Sequence, residues 1–161
     1  MNARALPRTA PTFAARGRIG TILFATDLSP ASDRAFEEAR RLARDFGAEL
    51  VIAHAYDPAS VEALGYVPAA DYLDWEDRFR DSLFAKLEPL IAVARREGID
   101  ARSSVLAGPP EQAIIDAAGR EGAGLIVMGT HGRTGASRFF LGSVASRVVA
   151  AAPCPVTTVR A

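Results

Sequence analysis

Gly129 and Gly132 are separated by two residues, and nine more lead to the pair Gly142-Ser143. The segment runs directly out of the apolar stretch GLIVMG, and between residues 129 and 142 it carries four glycines, two arginines and no acidic side chain. This is more glycine than a connection needs, and the chemistry it suits is anion binding. Glycines let a backbone approach phosphate oxygens closely, and the amide groups at the start of a following helix point outward with the positive end of its dipole. Gly142 then admits a phosphate against the chain, Ser143 supplies a hydroxyl and an amide, and Arg133 or Arg138 adds charge. The pattern is neither GxxxxGK[ST], because no lysine follows, nor GxGxxG, because its first two glycines are three positions apart.

Other chemistry-bearing residues are few. Asp27 ends the first apolar run, where an acid either meets a ligand or caps the next helix, and Ser29 is better placed to cap. His131 falls within the glycine stretch and His54 within the second apolar run, with no spacing that makes a metal site. Between Gly122 and Ala161 there is no Asp or Glu, while Arg133, Arg138, Arg147 and Arg160 are present. Efficient hydrolysis of a nucleoside triphosphate needs a group to position water and ligands around Mg²⁺. This stretch offers phosphate binding without either, so the expectation is a binder with slow or no turnover and no catalytic set. Any Mg²⁺ is expected to be held mainly by the phosphates themselves.

The elements that must position these residues are legible from periodicity. Five short apolar runs alternate with helical patterns, which predicts an α/β protein with an open, five-stranded parallel sheet and helices on both faces. The strands are expected at 19–26, 48–56, 101–108, 124–129 and 154–160. A helix is expected from Ser29 as N-cap and Pro30 as first residue, with Ala35, Phe36, Ala39, Leu42, Ala43 and Phe46 on one stripe and Gly47 as its stop. Residues 57–70 read as a loop. A long helix from 71 to 97 follows, with Leu83, Leu87, Ile91 and Ala94 inward and Pro89 as an interruption. Shorter helices follow Pro109-Pro110-Glu111 and span 143–151. Right-handed crossovers favour the strand order 3-2-1-4-5. Ligands bind such sheets at the carboxyl ends of the strands where the chain reverses direction, which here means Asp27 and Gly129.

Composition narrows the class. The chain has 161 residues, enough for one domain with a real core, and 19 basic residues balance 19 acidic ones. Without a net field, nucleic acid and anionic membranes are not expected partners. No run of 18 apolar residues occurs, which argues against a membrane helix. The first 18 residues hold four arginines and no acid; they read as a flexible basic arm before a domain at 19–161. The single cysteine, Cys154, allows no intrachain disulfide and fits a cytoplasmic setting with the thiol in the core.

The motif G-x2-G-x9-G-[S/T] is similar to the nucleotide loop of the universal stress protein family. Further stretches share the resemblance over residues 18–161: ILFATDLS, AHAYD, AGPPEQAI, IVMGTHGRTG and the terminal PCPVTTVR. The resemblance implies a Rossmann-like fold and ATP as ligand. It places Asp27 at the nucleoside, the Ala55 backbone at adenine, Met128 and Gly129 at the start of the nucleotide loop, and Gly132, Gly142, Ser143 and Val144 at the phosphates. Ala55 stands where a larger aliphatic side chain is common, which makes the base pocket roomier. The family also implies a homodimer through the edge strand 154–160 and a regulatory protein partner. Two alternatives stay open: a slow ATPase or self-phosphorylating enzyme, and a dimeric interaction module that binds no nucleotide.

Overall fold

The computed structural model describes residues 19–62, 72–130 and 141–160. Its centre is a parallel sheet of β1 (Thr21–Ala25), β2 (Glu49–Tyr56), β3 (Ala101–Ala107), β4 (Leu125–Gly129) and β5 (Val156–Val159). The order is β3-β2-β1-β4-β5, as expected. The chain therefore reverses its direction of growth at the β1/β4 boundary, where Ile22 pairs with Leu125 and Ala25 with Met128.

The strand residues sort onto two faces by their period of two. Ile22, Phe24, Leu50, Ile52, Leu125 and Val127 enter one apolar cluster, and Leu23, Ala25, Val51, Ala53, Ile126 and Met128 enter the other. Burial on both faces explains why these strands read as nearly continuous apolar runs. Helices α1 (Asp33–Phe46) and α3 (Tyr72–Arg96) cover the first face. Helices α4 (Pro110–Arg120) and α5 (Ser143–Ala151) cover the second. The expected inward residues of α3, Leu83, Leu87, Ile91 and Ala94, are all buried.

Three expectations change. Phe46 is 40% exposed rather than part of the buried stripe; as the last residue of α1, it lies at the sheet margin, just before Gly47 closes the helix in a left-handed conformation with φ 59°. Ser29 makes no side-chain cap. The chain instead enters α1 through a 3-10 turn at Pro30–Ser32, and the Ser29 hydroxyl is drawn back to Asp27. The stretch read as a loop begins with a helical turn, α2 (Pro58–Glu62). Asp57 caps it, accepting the Ala59 N–H at 3.1 Å and the Ser60 hydroxyl at 2.8 Å. An acid followed by proline is a helix start, and that signal was present in the sequence.

Candidate functional site

A cleft of about 790 Å³ opens at the carboxyl ends of β1, β2 and β4, a size usual for small-molecule sites. It is lined by Asp27, Ala55, Met128, Gly129, Gly142, Ser143 and Val144. The fold thus brings together seven of the nine residues singled out from the sequence. The other two, Gly132 and Arg133, lie outside the described residues, as do His131 and Arg138.

Asp27 is set by a tight turn after β1. Leu28 adopts φ 61°, a left-handed conformation that costs a residue with a side chain free energy. The turn is held by a hydrogen-bonded relay. The Leu28 N–H donates to Thr26 Oγ1 at 3.0 Å, the Thr26 and Ser32 hydroxyls meet at 2.8 Å, and the Ser32 hydroxyl donates to the Ser29 carbonyl at 2.7 Å. With the Ser32 proton committed to that carbonyl, Thr26 is the donor between the two hydroxyls. The turn brings Ser29 back over Asp27, whose Oδ1 accepts the Ser29 N–H at 3.1 Å and its hydroxyl at 2.6 Å. The second oxygen, Oδ2, is buried and has no hydrogen-bond partner among the described residues. A buried carboxylate oxygen left unpaired is costly, so a ligand that donates to it gains where water cannot.

The opposite end of the cleft is the start of α5. Gly142 is its N-cap, and its carbonyl accepts the Ser146 N–H at 2.9 Å. The amides of Ser143, Val144 and Ala145 are the donors that a helix's own ladder leaves over. They form, with the helix dipole, a site for negative charge. Gly142 has φ −58°, a conformation open to any residue, and its N–H donates to the Thr130 carbonyl at 2.7 Å. Its amide is therefore committed to holding the end of β4 to the start of α5, and the left-over helix amides begin at Ser143.

The cleft also holds residues that sequence reasoning passed over. Tyr56, Phe79, Leu83 and Lys86 enter from β2 and α3, Pro110 and Ile114 from α4. Phe79 lies one helical turn before the buried Leu83, so extending the inward stripe of α3 towards its start would have found it. His54 is also part of the wall. Its Nδ1 lies 2.8 Å from the Thr26 carbonyl, which requires the proton on that nitrogen. Among the described residues no group of three His, Cys, Asp or Glu side chains could hold a metal ion, and no helix is long and apolar enough to cross a membrane.

Residues 18–160 match the family model described as the universal stress protein family. A universal stress protein of Thermus aquaticus is 40% identical over 150 residues, spanning 87% of this chain and 98% of that protein. Two solved structures share the architecture. One is a universal stress protein in complex with cAMP, 26% identical with a TM-score of 0.65, covering 89% of this chain and 98% of the other. The second is the universal stress protein of Archaeoglobus fulgidus in complex with dAMP, 25% identical with a TM-score of 0.60, covering 88% and 98%.

Proposed function

The chain belongs to the universal stress protein family, and we propose that it is an ATP-binding member of it, a cytoplasmic homodimer in which nucleotide occupancy alters contacts with a regulatory protein. The observation that carries this reading is the unpaired, buried Oδ2 of Asp27 in a cleft whose other end is the N-terminus of α5. A ligand that suits both ends has hydroxyl or amine donors at one side and negative charge at the other. A nucleotide has both, and two relatives of the same fold were solved with cAMP and dAMP.

In this arrangement the sugar or base donates to Asp27 Oδ2, and the phosphates take the amides of Ser143, Val144 and Ala145. Gly129, Gly132 and Arg133 contribute the remainder of the phosphate contacts. Mg²⁺, when present, is held mainly by phosphate oxygens.

Turnover is slow or absent in this reading, because the described residues of the cleft hold no spare carboxylate. Among the described residues lining it, the carboxylates are those of Asp27 and Asp57. Asp57 uses both oxygens to cap α2, and Asp27 has one oxygen on Ser29 and the other assigned to the ligand.

Calorimetric titration of the full chain with ATP and Mg²⁺, beside a Gly132→Val variant, tests the proposal. Saturable binding that the variant loses supports it. A wild type that is folded, nucleotide-free and silent, in this assay and a second one, overturns it in favour of an interaction module. Phosphate release or a phosphorylated protein in a single turnover would favour the enzyme reading.

A further inference from the structure

The β2 end of the cleft is built differently from its phosphate end, and we propose that Phe79 there selects the base of the nucleotide. The inference rests on the nucleotide reading above. Strands lie about 4.8 Å apart, so the end of β2 stands about two spacings, near 10 Å, from the end of β4 and the start of α5. A ligand with phosphates at α5 and its sugar near Asp27 carries its base to β2.

Here the alternation of β2 sends successive side chains to opposite faces of the sheet. Ala55 packs with the α4 side, the cluster that contains Ile114, and its short side chain leaves space there. Tyr56 turns to the other face and meets Phe79 of α3 edge-on, with ring centroids 5.3 Å apart and planes at 72°. Ile114 from the α4 side and Phe79 from the α3 side both line the cleft at this end. A flat heteroaromatic ring is the chemical class that suits such a lining, because it packs its apolar surface against aliphatic and aromatic side chains alike.

The Phe79 ring is fixed before any ligand arrives. Trp75, one turn earlier on α3, stacks on it with centroids 5.0 Å apart and planes at 12°. Tyr56 is itself anchored, its hydroxyl donating to Glu76 Oε1 at 2.8 Å. Trp75 is absent from the cleft lining and is the only tryptophan in the chain. It is a positioning residue for Phe79 and a built-in reporter of what touches that ring. Selection follows from size: a purine offers a larger face to Phe79 than a pyrimidine does.

The test titrates the full chain with ATP and separately with UTP, each with Mg²⁺, and follows both heat and Trp75 emission excited at its red edge. Wild type, Phe79→Leu and Phe79→Tyr are compared, with thermal melting as the check on folding. The expected result is tighter binding of ATP than of UTP in wild type, with a change in Trp75 emission on binding ATP. Phe79→Leu weakens ATP by about tenfold and UTP by less, so the ratio collapses, while Phe79→Tyr retains the preference. An unchanged ATP-to-UTP ratio in a Phe79→Leu protein that melts like wild type overturns the inference and leaves nucleotide binding standing. A wild type that binds both equally also overturns it. A wild type that binds neither removes the nucleotide reading, and this inference with it.

Discussion

Asp27 and Ser29 form a closed local pair in which one carboxylate oxygen accepts two hydrogen bonds, from the Ser29 N–H at 3.1 Å and from its hydroxyl at 2.6 Å. The two carboxylate oxygens are therefore unlike. Oδ1 fixes the carboxylate plane, and Oδ2 is left buried without a partner among the described residues. A purely capping aspartate has no need to bury its second oxygen unpaired.

Asp27→Asn separates the two roles. The amide oxygen can stay on Ser29, while an NH₂ replaces the unpaired acceptor, so the turn after β1 persists. A ligand donor then meets another donor. The expected outcome is a loss of ATP affinity of about tenfold or more, since a hydrogen bond to a charged group contributes roughly 1.5–3 kcal/mol. The melting temperature of the ligand-free protein changes little, because a partnerless carboxylate oxygen gives way to a partnerless amide NH₂. Calorimetric titration and a thermal melt of the same preparation check both. Unchanged affinity would return Asp27 to a structural role.

The strand order and the meeting of Asp27 with Gly129 were legible because both are consequences of chain period and crossover handedness, which sequence displays directly. The same holds for Leu83, Leu87, Ile91 and Ala94, whose spacing is that of a helix face. The entry to α1 was less legible. Ser29 and Pro30 are a standard helix-start pair, but the left-handed Leu28 turns Ser29 towards Asp27, and nothing in a leucine announces a positive φ. At Gly142 the structure adds what the motif does not display: its φ of −58° requires no glycine, and its amide is tied to the Thr130 carbonyl. The aromatic wall of Phe79 was missed because it depends on α3 and β2 meeting across the sheet, a contact that local pattern does not encode.

The helices that form the α4–α5 side of the cleft are joined by an ion pair between Glu111 and Arg147. The Glu111 carboxyl is held below the usual carboxylate range, first by its own backbone N–H and then by the Arg147 guanidinium. A lowered pKa means that the folded state prefers the ionised form. The stabilisation is therefore fully present above the ordinary glutamate value near 4.3, and it is lost as pH falls through the lower folded value. Glu111→Gln is expected to lower stability at pH 7 by less than about 1 kcal/mol, the scale of partly exposed pairs. The difference from wild type should shrink at pH 3. Urea unfolding at the two pH values checks this, and a difference that grows on acidification would contradict the sign.

The proposed dimer has its own signature in β5, which among the described residues is an edge strand paired only with β4. The amides of Ile126 and Thr130 donate to the carbonyls of Pro155 and Val159. In a parallel ladder, alternate residues bond to opposite sides, so Thr157 bonds inward to β4, and Val156 and Thr158 present their backbone groups outward. A second copy pairing along this edge would use the outward set. Thr158→Pro removes an outward N–H without taking a bond from β4, a substitution that edge strands tolerate. Thr157→Pro removes a bond inside the sheet. The expected outcome is a folded monomer for Thr158→Pro and a destabilised protein for Thr157→Pro, read by sedimentation equilibrium and thermal melting beside a dimeric wild type. A Thr158→Pro protein that stays dimeric at the same concentration would place the interface elsewhere on the surface. The backbone of β5 would then serve only to complete the sheet.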